Sequence, residues 1–318
     1  KSRNARFALL LKGRTEEVPA LLLSQALFRA LEDGGGFAAW CGRPCHQVTE
    51  TAPDDIPLRR SMTYIQGMSD TSFHRPTRHL GLQGASNFRD LGGYRSRGGR
   101  HVRWRQLFRS NHLGRLTEAD IAILRQLGVR TAFDFRGRDE RNAGLCAVSE
   151  ITVHSVPIEP SVVPALRARA MAGRLAADEA LELMRDSYRN YIRNHTPRFR
   201  VLFDHLLQDH APLVIHCTAG KDRTGVACAL VLHALDIPDD VILEDYLLTN
   251  QLYQRDSAAH PDLPGDVLQA IGTVQGSFLA AAFDTMRDDF GDVDAYLRHG
   301  LGIDSAARNA LQELYLTR

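Results

Sequence analysis

The stretch Pro212-Leu-Val-Ile-His216-Cys217-Thr218-Ala219-Gly220-Lys221-Asp222-Arg223-Thr224-Gly225, followed by the apolar run Val226 to Leu235, decides how this chain is read. Pro212 to His216 has the pattern of a short buried strand and the run after Gly225 that of a buried helix, so a tight strand-to-helix loop lies between them. Cys217 and Arg223 have five residues between them. A loop of that length entering a helix N-terminus can curl its N–H groups around one tetrahedral anion, and the helix dipole adds positive potential at the same point. Thr218, Ala219, Gly220, Lys221, Asp222 and Arg223 are therefore the expected phosphate-binding residues. Arg223 offers a planar fork to two phosphate oxygens, which a lysine cannot do. The same field favours the thiolate of Cys217 and makes it the expected nucleophile.

Outward from this loop, short β-like runs alternate with helical patterns from Gly84 onward. That alternation implies an α/β fold, a mainly parallel central sheet flanked by helices, with a helical C-terminal region. Strands are expected at His101 to Trp104, Gln106 to Arg109, Val129 to Phe133, Ile151 to Pro157 and Leu213 to Ile215. A helix should start at the N-cap Thr117, with Glu118 and Asp120 in its first turn, and end at Gly128. A longer one runs from about Asp178 to His195 and continues after Pro197 into Arg198 to Gln208. Beyond residue 237 the pattern is all helical, with starts at Pro238, Pro264, Gly276, Asp292 and Asp304. Residues 1–75 read as an N-terminal appendage with one helix, Val18 to Leu31, and 76–318 as the catalytic domain. WCGRPC at 40–45 is similar to a redox loop but has three residues between its cysteines, and ordinary free thiols are the alternative reading.

Lys plus Arg (39) against Asp plus Glu (38) leaves a net charge of +1, which argues against a globally basic nucleic-acid binder. The apolar run at 226–235 is about half of the ~20 residues that cross a bilayer, so an integral membrane protein is not expected. The basic start KSRNARFALLLKG has too short an apolar core for a signal peptide, which points to a cytoplasmic protein or one exported without a recognisable signal. Five cysteines, Cys41, Cys45, Cys146, Cys217 and Cys228, suit a reducing compartment. The histidines show no zinc-ligand spacing, and neither a metal nor any other cofactor is expected.

Matched position by position, His216, Cys217, Gly220, Arg223, Thr224 and Gly225 fit the signature HCxxGxxR(S/T)G, and the loop resembles that of the cysteine-dependent protein tyrosine phosphatases. Asn87-Phe-Arg-Asp-Leu-Gly-Gly-Tyr94 and the AGKDRTG loop resemble the bacterial group typified by the secreted mycobacterial tyrosine and lipid phosphatase. The resemblance spans about residues 80–318. It implies that Cys217 attacks phosphorus, Arg223 holds the phosphoryl group, Thr224 assists the thiolate as leaving group and His216 orients the loop or tunes the sulfur. The substrate implied is a phosphotyrosine protein, extended to phosphoserine and phosphothreonine, with a phosphoinositide as the alternative. A phosphate-binding pseudophosphatase and a rhodanese-like sulfurtransferase are the rivals; the intact Cys217, Asp222 and Arg223 and the loop length speak against them.

Ester cleavage needs a proton donor for the leaving oxygen. No WPD-type tripeptide is present, since Trp40 and Trp104 are followed by Cys and Arg. The resemblance points to Asp222 as general acid and base, and Asp134, at the end of a central strand, is the second candidate. Lys221 is one of only three lysines, with Lys1 and Lys12. It is expected either to face a multiply phosphorylated ring or to point to solvent. The stretch 91–117 carries seven arginines and no carboxylate before Glu118. It reads as a border of the site or a contact with an anionic membrane surface, or else as a solvated hairpin face. The family can also cover its site with a helical lid, for which 264–290 are the candidates.

Overall fold

Leu213, Val214, Ile215 and His216 are all buried, on both faces of their strand, so that strand belongs in the interior of a sheet. The computed structural model describes residues 77–172, 176–208, 212–255 and 263–318. The Val18 to Leu31 helix, Cys41 and Cys45 lie outside them. Five strands form one sheet: β1 (Arg89–Asp90), β2 (Leu107–Ser110), β3 (Thr131–Asp134), β4 (Thr152–Ser155) and β5 (Leu213–His216). Their order is β1-β2-β5-β3-β4, with β1 antiparallel to β2 and every other pair parallel. The fold is thus α/β with a mainly parallel sheet. Register aligns Ser110, His216, Asp134 and Ser155 in one row at the carboxyl ends of four strands. In open sheets of this kind the ligand crevice lies at that edge.

The helices are α1 (Glu118–Gln126), α2 (Arg138–Asn142), α3 (Val162–Met171), α4 (Ala177–Leu206), α5 (Asp222–Ala234), α6 (Asp239–Leu247) and α7 (Thr249–Leu252). They continue with α8 (Gly265–Gly272), α9 (Gly276–Phe290), α10 (Val293–Ala295), a π-turn at Tyr296–Gly300 and α11 (Ser305–Tyr315). One face of the sheet, through Leu107, Phe133 and Ile215, packs into a core with α4, α5 and α9. The other, through Phe108, Ala132 and Val214, packs against α1. No described helix is long and apolar enough to cross a membrane.

Local chemistry explains five of the eleven helix starts among the described residues. Thr117 forms a capping box with Asp120, Asp292 and Asp304 accept N–H bonds at their own helices, and Pro238 and Pro264 occupy the N-cap positions of α6 and α8. Two expectations change. His101 to Trp104 is not a strand: His101 and Val102 make only isolated bridges to Arg95 and Leu316, and Arg105 then turns with φ of 63°. Pro197 lies inside one uninterrupted helix, α4, where the Thr196 hydroxyl bonds back to the Ile192 carbonyl.

The arginines of 91–117 do not share one solvated face. Arg109 is fully buried, Arg105 pairs with Asp90, Arg100 with Glu313 and Arg97 with Asp236 and Asp239, while Arg103 donates to the carbonyls of Leu316 and Glu313. Arg109 belongs to a buried ion cluster. Its Nη1 lies 2.7 Å from Asp245 Oδ2, Arg89 Nε lies 3.1 Å from Oδ1, and the Tyr94 hydroxyl donates to Oδ1 at 2.9 Å. Burial opposes ionisation of Asp245, but the two guanidinium groups outweigh it and hold the carboxyl far below the usual carboxylate range.

Asp245→Asn should destabilise the protein by about 3–5 kcal/mol, because two buried guanidinium groups lose their counterion. Urea unfolding at neutral pH measures this; a change below about 1 kcal/mol, the usual worth of a surface pair, would show that the cluster is not a structural anchor.

Candidate active site

The loop after β5 is held from outside by its own carbonyls. The His112 N–H donates to Thr218 O at 3.0 Å, Asn87 Nδ2 to the carbonyls of Ala219 and Gly220 at 3.0 Å each, and Arg109 Nη2 to Gly220 O at 2.9 Å. In a trans peptide C=O and N–H point to opposite sides. With three successive carbonyls drawn towards the scaffold, the N–H groups of Ala219, Gly220 and Lys221 face the other way at the start of α5, an arrangement that suits an anion. Gly220 has φ of +65°, and a Cβ there would sit 2.1 Å from the Ser110 carbonyl oxygen. Only glycine fits this close approach.

Arg223, in the first turn of α5, is forked by a residue the sequence reading did not select. Glu140, on the short α2, accepts from Arg223 Nη1 at 2.6 Å and Nη2 at 2.7 Å, and also from the Thr218 hydroxyl and from the Gly137 N–H. The carbonyls of Ile158 and Phe135 accept from Nη1 as well. Burial raises the carboxyl of Glu140, but the hydrogen bonds and charge of Arg223, with those from Thr218 and Gly137, outweigh it and bring its pKa down to about 2. Burial would weaken the Arg223 charge; Glu140 and the nearby Cys217 sulfur overcome that and keep the guanidinium protonated.

Cys217 is buried at the base of the loop. Thr224, directly after Arg223, is also buried, and its hydroxyl has no hydrogen-bond partner among the described residues. His216 is fully buried, and burial, only partly opposed by Asp134, lowers its pKa to about 4, so the ring is neutral at physiological pH. Its Nδ1 lies 3.8 Å from Asp134 Oδ1 and 3.5 Å from the Cys217 carbonyl. Asp134 is tied to Arg136 through Nε at 3.0 Å, Nη2 at 2.8 Å and the backbone N–H at 2.9 Å. It does not line the cavity described next. Cys228, on α5, is fully buried with its thiol pushed up to about 12, a core residue.

A cavity of about 220 Å³ opens over the loop. Thr218, Ala219, Lys221, Asp222, Arg223 and Glu140 form its polar side, and Val162, Val163, Met184, Tyr191, Leu268 and Ile271 much of the apolar remainder. Asp222 is accessible there, with 23% of its side chain exposed, and accepts from the Tyr188 hydroxyl at 2.9 Å. Lys221 does not point to solvent. It is buried, its ammonium donates to the Ile271 carbonyl of α8, and it lies 3.6 Å from Asp222 Oδ2. Of the two helices in 264–290, α8 lines the cavity, whereas α9 carries fully buried Phe278, Ala282 and Met286 and is a core helix. Among the described residues no group of His, Cys, Asp and Glu side chains could hold a metal ion.

The sequence profile of the tyrosine phosphatase family matches residues 80–317. A candidate tyrosine-protein phosphatase of Cupriavidus necator is 32% identical over 261 residues, 79% of this chain and 91% of that protein. The triple specificity protein phosphatase PtpB of Mycobacterium tuberculosis is 31% identical over 275 residues, 74% of this chain and 98% of that protein. Among solved structures, that of TpbA of P. aeruginosa covers 57% of this chain and 89% of its own at 16% identity, with a TM-score of 0.27.

Glu140 generates a pH prediction. A carboxyl with its folded pKa near 2 stabilises the fold above its unfolded value of 4.5 and loses that contribution as pH falls towards 2. The full effect is about 3 kcal/mol at neutral pH. Glu140→Gln should therefore be less stable than wild type at pH 7 and converge with it near pH 2–3, as read by urea unfolding at each pH. A constant difference across that range would mean that the carboxylate charge is not what holds Arg223.

Proposed function

The chain belongs to the tyrosine phosphatase family and is an enzyme of that class, and we propose that it hydrolyses phosphotyrosine through a phosphocysteine formed on Cys217. One observation carries this reading: Cys217 and Arg223 belong to one loop whose carbonyls are drawn to the scaffold, and Thr218, Ala219, Lys221, Asp222 and Arg223 of that loop line a cavity with a broad apolar wall, with Cys217 buried at the base of the loop and not itself in the lining. The cradle fits a phosphoryl group and the wall an aromatic ring.

In the first step the Cys217 sulfur attacks phosphorus, the S–P bond forms as the P–O bond breaks, and the leaving oxygen takes a proton. The charge spread over the other phosphoryl oxygens is met by the loop N–H groups and by Arg223. In the second step water attacks phosphorus, the S–P bond breaks, and Thr224, whose hydroxyl has no partner among the described residues, donates to the departing thiolate. Asp222 is the better candidate for both proton transfers, since it reaches the cavity while Asp134 is committed to Arg136. His216, neutral and enclosed, positions the loop.

The triple specificity in the name of the mycobacterial relative supports substrates beyond phosphotyrosine, and phosphoserine and phosphothreonine are the extension proposed. A phosphoinositide is the second reading, favoured by the presence of Lys221 in the cavity wall. It requires the ammonium to leave the Ile271 carbonyl for a ring phosphate. Membrane contact through 91–117 is not part of the reading, because Arg97, Arg100, Arg103, Arg105 and Arg109 are engaged within the fold.

Cys217→Ser should abolish turnover yet still bind phosphotyrosine peptide, because the cradle and Arg223 remain while a hydroxyl is a poor nucleophile at its ordinary pKa. Isothermal titration beside a phosphate-release assay tests both halves, and residual turnover comparable to wild type would remove the covalent route. Asp222→Asn should lower kcat/KM for poor leaving groups by about 10²–10⁴-fold and for activated aryl phosphates far less. Equal slowing on both would move the acid role to another residue. For Lys221→Ala, turnover of phosphoinositide should fall more than that of phosphotyrosine peptide; equal losses would make Lys221 a support for α8 and not a specificity group.

A further inference from the structure

The carboxylate proposed to move protons is itself held by two buried phenols from other helices. The Tyr188 hydroxyl, on α4, donates to Asp222 Oδ1 at 2.9 Å and lies 2.5 Å from the Tyr246 hydroxyl on α6. Both rings are essentially inaccessible to solvent. A phenol has one proton to donate and an ionised carboxylate can only accept. With the Tyr188 proton committed to Asp222, the bond between the phenols must be donated by Tyr246. The chain of donors therefore runs from Tyr246 to Tyr188 to Asp222.

The packing holds this chain in place. Tyr188 sits against Tyr246, with ring centroids 6.3 Å apart and planes at 82°, and against Phe278 at 5.8 Å. Gly225 makes room for Tyr246: a Cβ at that position would come within 2.8 Å of the Tyr246 ring. Burial, reinforced by the Asp222 charge, pushes both phenols well above their usual range, so both keep their protons throughout the reaction. Oδ1 of Asp222 is thus permanently occupied as an acceptor.

We propose that Tyr188 is a positioning residue that locks Oδ1 of Asp222, leaving Oδ2 as the oxygen that carries the catalytic proton, with Tyr246 fixing Tyr188 in turn. This rests on Asp222 being the general acid and base. In the first half-reaction the proton on Oδ2 goes to the leaving oxygen, which keeps the electron pair of the broken P–O bond. In the second, the attacking water gives a proton back to Oδ2. The phenol protons do not move. Without the Tyr188 bond the carboxyl can rotate and its proton is shared between two oxygens, only one of which is aimed at the leaving group.

The test compares kcat/KM, which reports the steps up to formation of the phosphocysteine, on an alkyl phosphate and on an activated aryl phosphate for wild type, Tyr188→Phe, Asp222→Asn and the double variant. Tyr188→Phe keeps the ring and should lower kcat/KM on the alkyl phosphate about tenfold while changing that on the aryl phosphate less than about threefold. In the Asp222→Asn background the same substitution should add no more than about twofold, since its target is gone. Equal slowing of both substrates, or the full factor in the double variant, overturns the proposal. Should Tyr188→Phe fail to fold, Tyr246→Phe must show the same leaving-group split at smaller size, and its absence overturns the proposal as well. If Asp222→Asn itself slows both substrates equally, the acid-base reading fails and this inference falls with it. A split for Asp222→Asn without one for Tyr188→Phe defeats the inference alone.

Discussion

Two buried guanidinium groups share one buried carboxylate, and the active-site loop is suspended from that cluster. Asp245 holds Arg89 and Arg109, and Arg109 spends its other terminal nitrogen on the Gly220 carbonyl. An arginine left without a counterion in this interior would be strongly disfavoured, so the ion cluster and the loop are fixed together. The consequence is directional. Carbonyls turned towards Arg109, Asn87 and His112 leave the neighbouring N–H groups facing away from that scaffold, the arrangement that the proposed binding of a phosphoryl dianion requires. In the proposed mechanism this fixed loop is what allows electrostatic stabilisation of a transition state.

The second constraint is the Glu140 fork on Arg223. A buried arginine needs acceptors, and Glu140 with the Ile158 and Phe135 carbonyls supplies them along the edge that carries Nη1 and Nη2. This fixes the guanidinium plane relative to the loop. Glu140 also accepts from Thr218, so one carboxylate ties the first and last parts of the loop together. The cavity wall therefore holds the arginine together with the carboxylate that fixes it, and Asp222 on the same loop is supported by the Tyr188 hydroxyl, which is bonded in turn to that of Tyr246.

The loop was legible in the sequence because its chemistry requires residues that are close in the chain: a strand, a cysteine, a glycine able to take positive φ, and an arginine at a helix start. Helix starts marked by Thr117, Pro238, Pro264, Asp292 and Asp304 were legible for the same reason, since a cap is a local interaction. What supports the loop was not. Arg109 and Asp245 are 136 positions apart, Asn87 and Gly220 are 133, and Arg223 and Glu140 are 83. Nothing in the run Arg138 to Asn142 distinguishes Glu140 from a solvated charge, and only a search for a partner to a buried arginine would have picked it out. Lys221 was conspicuous by its rarity, yet the carbonyl it finds on α8 comes from 50 positions away. Pro197 shows the converse, a local helix-breaking signal overridden by the packing of Tyr191, Phe199 and Phe203 on either side of it.

The central claim is that phosphate passes through the sulfur of Cys217. Rapid acid quenching during turnover of an aryl phosphate, followed by peptide mass mapping, tests it directly. The account predicts one added phosphoryl group on the peptide containing Cys217, accumulating further in Asp222→Asn, where its hydrolysis is slowed. A phosphoryl group on a different peptide, or steady turnover with no adduct in either protein, would contradict it.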